Sequence, residues 1–452
     1  MPRCKDVNGR VSQSLRSLIP QLLTSPRTRA TRRWLAERRR RLRSEPHRVH
    51  YFHQVDDPYS QLAAQILTPL AERFDVELVP HLVGPPSDAA APERARLELF
   101  ARRDAADVAP GYGLAFPPKA SAPDASRVAR AQAVLAGLSE GSAFAEAAAR
   151  VGAALWNDDG DALDALARRL GAVGDAQARA TIDTGNRLRA RLGHYLGAML
   201  HYGGEWYWGV DRLEHLERRL ESLGARRPGA SGAPIAPRPV LRPRPIAAPG
   251  ARLALEFYPS LRSPYTYIAM ERVYELARRY PVELVLRPVL PMVMRGLPVP
   301  RTKQLYIALD TKREAEDAGV AFGRVADPVG RPVERVFSLF PWARERGRAS
   351  ELLFSFARAA FAEGIDTGTD TGLRHVVERA GLAWDEAGNQ LDDEAWREEL
   401  ERNRVAMFEL GLWGVPSFCL RDAAGVATWS TWGQDRIWRV EQEIQRQLER
   451  AR

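Results

Sequence analysis

Ser263-Pro264-Tyr265 follows a short apolar run (253–258) and opens a stretch with helical spacing. A serine at such a junction can do two kinds of work. As a helix N-cap, its hydroxyl satisfies a backbone N–H that has no partner within the helix, and proline suits the first helical position. Beside the free N–H groups and the positive end of the helix dipole, the same hydroxyl also favours an anion held there. The chain builds a second junction of this shape at 57–59, with Asp57 in the serine's place. A carboxylate at that point repels an anion instead of holding one.

Other residues could contribute chemistry. Gln434 and Asp435 follow a glycine at the start of the last helical pattern, where an aspartate also complements the dipole as a cap. Lys303 is one of only four lysines and either lies solvated on the surface or neutralises a bound carboxylate. Gly414-Val415-Pro416-Ser417 begins a strand, with Pro416 at its edge. The only cysteines are Cys4 and Cys419, which excludes a disulfide framework and a multi-cysteine zinc site. Cys419 reads as a small buried apolar residue. His50 and His53 point to opposite faces of a strand, so no metal site is expected. Trp206-Tyr207-Trp208 reads as core or hairpin cover.

The elements that position these residues occur twice. Residues 50–79 align without a gap to 256–285 at an offset of 206 (263 against 57), with ten of thirty positions identical. The identities include Tyr59/Tyr265 and Arg73/Arg279. Near the ends, 207–217 matches 431–441 at Trp208/Trp432, Gly209/Gly433, Asp211/Asp435, Arg212/Arg436 and Glu217/Glu441. Two echoes in the same order argue for a repeated domain. Each block reads as strand, helix, strand, a run of helices, then a hairpin and a final helix. That is a parallel βαβ unit, a helical insertion and a ββα close. The expected boundaries are a basic leader at 1–45, a first domain at 46–224, a Pro/Ala/Arg-rich linker at 225–250 and a second domain at 251–452.

Composition sets outer limits. The 452 residues are 45% hydrophobic and 27% charged, as in ordinary globular chains. The net charge is +9, and 62 of the 66 basic residues are arginine. The basic surplus peaks at 27–43, which reads as a solvated, partly helical leader rather than a nucleic-acid arm. No run approaches the ~18 apolar residues of a membrane helix. With so few cysteines, a reducing, cytoplasmic location is expected.

The order of elements resembles the thioredoxin fold with an inserted helical domain, as in the DsbA-like superfamily. The second block is most similar to 2-hydroxychromene-2-carboxylate isomerases and kappa-class glutathione transferases. The likeness rests on Ser263-Pro264-Tyr265-Thr266-Tyr267, the segment Pro300 to Tyr306 around Lys303, Ala359 to Gly364, Gly414 to Phe418, and Trp432 to Arg436. It spans nearly all of 251–452; the first block carries only the ends of the pattern. The resemblance implies an α/β fold of two tandem thioredoxin-like units, each with an inserted helical domain. It implies that Ser263 stabilises the thiolate of bound glutathione. It also implies a cis Pro416, with Val415 pairing to the tripeptide backbone. Gln434 and Asp435 would hold the γ-glutamyl group, and Lys303 a carboxylate. Tyr265, Tyr267 and Tyr306 would line a substrate pocket. The family's loop asparagine before the lysine has no counterpart in 292–300. In the first block Asp57 replaces the serine and Met199 aligns with the proline, which points to a degenerate scaffold half.

The expected activity is a glutathione-dependent isomerase or transferase acting on a small electrophile. The alternatives are a non-catalytic tandem scaffold and, more weakly, a nucleic-acid-associated protein or a disulfide oxidoreductase. The last is disfavoured because the chain has no Cys-x-x-Cys. The reading leaves open whether the two domains pair within one chain as a pseudo-dimer or between chains as a homodimer.

Overall fold

The computed structural model describes residues 21–244, 246, 253–391 and 393–450. Cys4, the leader's first twenty residues and positions 247–250 of the linker lie outside the described residues. The chain divides into two compact units. The first runs from Ala30 to Val240, and the second holds the residues from 241 on, together with 21–29.

In the first unit, α1 (Pro26–Leu42, of which the residues from Ala30 on belong to this unit) leads to β1 (His47–His53), α2 (Pro58–Ala64), α3 (Leu67–Arg73) and β2 (Val76–Leu82). The helical insertion is α4 (Arg94–Val108), α5 (Ala125–Ala136), α6 (Gly141–Trp156), α7 (Gly160–Leu170) and α8 (Asp175–Arg191). The hairpin β3 (Met199–Tyr202) and β4 (Glu205–Trp208) and the helix α9 (Leu213–Glu221) close the unit. The sheet order is β2-β1-β3-β4, with β1 parallel to β2 and the hairpin antiparallel. The helix between β1 and β2 is in two pieces. Pro69 has no N–H to donate to the carbonyl of Gln65, and the helix breaks there. Residues 225–240 lie against this unit: Arg227 N donates to Arg73 O, Ile235 N to Glu217 and Arg238 N to Glu214.

The second unit repeats the plan. It comprises β5 (Leu253–Tyr258), α10 (Pro264–Arg279) and β6 (Val282–Leu286), then α11 (Arg301–Asp317), α12 (Arg331–Glu345), α13 (Ala349–Arg358), α14 (Asp370–Arg379) and α15 (Trp396–Glu409). It ends with β7 (Ser417–Arg421), β8 (Ala427–Trp432) and α16 (Ile437–Arg450). The sheet order β6-β5-β7-β8 matches the first sheet strand for strand. The register also matches: His47 pairs with Val76, and Leu253 with Val282. Position 275, which corresponds to Pro69, is a glutamate, so α10 runs unbroken for 16 residues. Both units are thus thioredoxin-like α/β folds with a helical insertion.

Alternation along the strands sorts the second sheet's faces. Leu255, Phe257, Phe418 and Leu420 face α10 and α16, where Val273, Val440 and Ile444 complete the core. Phe257 and Phe418 stack with ring centroids 5.4 Å apart. Each such buried side chain contributes roughly 1.5–3 kcal/mol. The opposite face carries a buried charge: Glu256 accepts from Arg287 at 2.6 Å and Tyr258 Oη at 2.8 Å and pairs with Arg421 at 2.9 Å. In the first unit the same three strand positions hold His50, His81 and His201 instead of Glu256, Arg287 and Cys419. His50 Nδ1 lies 2.9 Å from His81 Nε2.

Candidate functional site

Ser263 caps α10 with extended backbone, and its Oγ accepts from Thr266 N at 3.2 Å. A cap of this kind is worth about 1 kcal/mol. The loop behind it is fixed from two sides. Ser260 N donates to Thr266 Oγ1, and Arg262 forms a two-pronged ion pair with Asp327, both bonds 2.7 Å. Ser263 itself is half-buried. It therefore reaches solvent with its acceptor side used by the cap and its hydrogen available to donate.

The start of β7 lies beside this junction, because Ser417 pairs with Tyr258. The Val415–Pro416 bond is cis, as the resemblance implied. Pro416 O accepts from Gly433 N at 2.8 Å, which ties the proline to the entry of α16. Among the described residues, the backbone N–H and C=O of Val415 have no protein partner. That leaves a short edge able to pair with an extended peptide. Gly414 permits the close approach beneath Trp432; a Cβ there would lie 2.0 Å from the indole ring.

Lys303, in the first turn of α11, is half-buried, and its Nζ sits 5.5 Å from the centre of the Trp413 ring. Burial holds its pKa down to about 8. Trp413 and Trp432 meet edge to face, 5.7 Å between centroids. The sequence analysis did not single out Trp413, although it stands immediately before Gly414-Val415-Pro416.

The remaining expected residues are placed differently. Gln434 is buried and turned inward: Arg272 donates to its Oε1 at 2.6 Å, and its Nε2 donates to Glu314 and to Asp435. Its amide is committed within the fold, and Asp435, which it bonds, is half-buried. Tyr267 is a core residue, stacked on Phe354 and Phe361, and its hydroxyl donates to Ala321 O at 2.9 Å. Burial pushes its phenol up to about 12. Tyr265 donates to Asp310, and Tyr306 lies half-buried on α11. Cys419 is buried on β7 with its thiol pushed up to about 12, mainly by burial and further by Glu256.

The first unit differs at each corresponding point. Asp57 accepts from Tyr59 N, Ser60 N and Ser60 Oγ, the last at 2.8 Å, and burial raises its pKa to about 6. The strand register corrects one sequence alignment. Phe52 pairs with Met199 where Tyr258 pairs with Ser417, and Ala198 O accepts from Gly209 N where Pro416 O accepts from Gly433 N. Ala198, with a left-handed φ of 53°, is therefore the counterpart of Pro416, not Met199. Gly197 stands at the place of Val415, and a Cβ there would lie 2.7 Å from Gln54 Cβ and 3.2 Å from Asp57 Oδ2. Leu97 stands at the place of Lys303.

Among the described residues, no group of three or more histidine, cysteine, aspartate or glutamate side chains is placed to hold a metal ion. Among the described residues, no helix is long and apolar enough to cross a membrane.

Residues 254–445 match the family model of the DSBA-like thioredoxin domain. No curated protein matches the chain. Among solved structures, the chain is similar to a 2-hydroxychromene-2-carboxylate isomerase, at 21% identity over 44% of this chain and 97% of the other, with a TM-score of 0.37. It is similar to a probable DsbA oxidoreductase from Streptomyces coelicolor, at 23% identity over 44% and 91%, with a TM-score of 0.35. It is also similar to the cytosolic disulfide reductase DsbM from Pseudomonas aeruginosa, at 19% identity over 43% and 99%, with a TM-score of 0.32.

Proposed function

We propose that the second unit is a glutathione-dependent enzyme, an isomerase or transferase for a small electrophile, and that the first unit is its non-catalytic counterpart in a tandem repeat. One observation carries this reading. The half-exposed Ser263 hydroxyl keeps a hydrogen to donate at the start of a 16-residue helix, where thioredoxin-like oxidoreductases place a cysteine. With no Cys-x-x-Cys in the chain and Cys419 buried, the junction at Ser263 has no dithiol of the kind such exchange uses.

In this reading the tripeptide's thiol gives its proton to solvent. The sulfur anion is stabilised by Ser263 Oγ–H and by the positive end of the α10 dipole. The tripeptide backbone pairs with Val415, and Lys303 faces a carboxylate. The thiolate adds to the electrophilic carbon of a C=C bond conjugated to a carbonyl: the C–S bond forms, the C=C π bond breaks and its electron pair moves to the carbonyl oxygen as an enolate. In a transferase the enolate takes a proton from solvent and the C–S bond persists. In an isomerase the adduct rotates about the former double bond, the enolate pair re-forms the C=C bond and the C–S bond breaks to return the thiolate. Gln434 takes no direct part. The two-cysteine composition suits a reducing, cytoplasmic setting.

The test is a thermal-shift titration with glutathione, paired with ultraviolet absorbance of the bound thiolate. The wild-type chain is expected to be stabilised and to show thiolate near neutral pH, whereas Ser263→Ala keeps the binding shift and loses most of the absorbance. No stabilisation at millimolar glutathione would instead support a tandem scaffold without chemistry.

A further inference from the structure

Within the first unit, α1 and the end of α9 enclose a groove of about 620 Å³. Trp34, Arg38, Arg41 and Leu42 line it from α1, and Arg219 and Leu223 from the other side. The helix is held in place: Arg33 grips Glu205 of β4 with bonds of 2.7 to 3.1 Å, and Arg219 Nη2 donates to Arg33 O. The carboxylate among the lining residues, Glu37, is ion-paired to Arg40 and Arg41. Its hydrogen bond from Arg40 is the main reason its carboxyl sits at about 2. The groove's net field is therefore positive. Trp34 is 56% exposed, a rare state for so large an apolar ring, and the Arg38 guanidinium lies 5.1 Å from its centre.

We propose that this groove binds single-stranded nucleic acid. An unstacked base lies on Trp34, and the exposed Arg38 and Arg41 hold the flanking phosphates. An aromatic face among guanidinium groups in a basic concavity is what such a strand needs, and stacking tolerates any base. The placement of apolar residues argues against a lipid surface. A helix lying in a membrane interface separates an apolar face from a cationic one. Here helical periodicity sets Trp34 between Arg38 and Arg41, and Leu35 and Leu42 beside Arg39, so the exposed apolar and charged residues alternate around one arc. The groove is independent of the reading given to Ser263.

The experiment is fluorescence anisotropy of the full chain with a labelled, mixed-sequence DNA strand of about twenty nucleotides, between about 50 and 200 mM salt. The expected result is binding that weakens with salt. Trp34→Ala should weaken it about ten-fold with the salt slope unchanged. The pair Arg38→Gln and Arg41→Gln should lower the slope by about 1.4. Trp34→Phe, which keeps a ring face, should retain most of the affinity, and circular dichroism should be unchanged because the side chain is exposed. The proposal is overturned by any of four results: no binding at the lower salt, equal affinity in Trp34→Ala, equal affinity for a duplex, or tighter binding to phosphatidylserine vesicles.

Discussion

Tyr265 donates its phenolic hydrogen to Asp310 Oδ2 across 2.7 Å, joining the first turn of α10 to α11. The same brace stands 206 residues earlier, where Tyr59 donates to Asp104 across 2.8 Å. Asp310 is fully buried and also pairs with Arg313 at 2.9 Å. Tyr265→Phe removes one donor from a buried acceptor and should cost about 1–2 kcal/mol. Tyr59→Phe should cost a similar amount in the first unit. Chemical denaturation of both variants tests this, and unchanged midpoints in either would remove the brace from the account.

Ser263 carries two roles that one pair of variants separates. Ser263→Ala should lose about 1 kcal/mol of stability together with the thiolate signal. Ser263→Asp restores a side-chain cap but sets a carboxylate where the sulfur would sit. It should recover stability and bind glutathione more weakly than the alanine variant. Equal glutathione affinity in the two would separate Ser263 from the sulfur.

Lys303 ties glutathione affinity to pH. Burial depresses its pKa to about 8, so its charge is present below that value and lost above it. Affinity should fall as pH rises through about 8. Lys303→Met should bind about ten-fold more weakly at neutral pH and show a flatter profile. Calorimetric titration across this range decides the point.

Asp57 should give an inverted pH response. Its pKa is raised to about 6 by burial, so between its ordinary value of 3.8 and 6 the folded chain holds a proton that the unfolded chain has released. Its contribution to stability therefore falls as pH rises through that window. Asp57→Asn keeps a side-chain oxygen for the cap and should stabilise the first unit at neutral pH relative to about pH 4. Melting curves of variant and parent that run parallel over that range would contradict this.

The first sheet's histidines act in the opposite sense. Burial lowers His53 to about 3 and His81 and His201 to about 4. Their neutral forms support the fold at neutral pH. That support is lost as pH falls from about 6.5 toward 4, because the unfolded chain takes up protons first. Hydrogen exchange at about pH 7 and about pH 4.5 should show β1 and β3 losing more protection than β5 and β7. Equal losses in the two sheets would show that these imidazoles are not what makes the first unit acid-sensitive.

The sequence made the repeat visible because the retained identities have mechanical jobs. Tyr59 and Tyr265 brace against Asp104 and Asp310. Arg73 and Arg279 pair with Glu217 and Glu441. Three of the positions that differ, Ser263 against Asp57, Lys303 against Leu97 and Val415 against Gly197, belong to the candidate site. Three features were hidden. The inward turn of Gln434 depends on Arg272 and Glu314, which lie on two other helices. Tyr267 shares a motif with Tyr265, but helical periodicity sends it into the core. The match of Met199 to Pro416 failed because lengths change inside the helical insertion, and only the strand register fixes the count.

That register has an engineering consequence. The spacing between equivalent residues stays at 206 from His47 and Leu253 through Asp104 and Asp310, then widens to 218 at Ala198 and Pro416 and to 224 at Trp208 and Trp432. All length variation lies downstream of the tyrosine–aspartate brace. Segments 47–104 and 253–310 are thus equal in length: a chimera that transplants one into the place of the other needs no splice adjustment and carries its own brace.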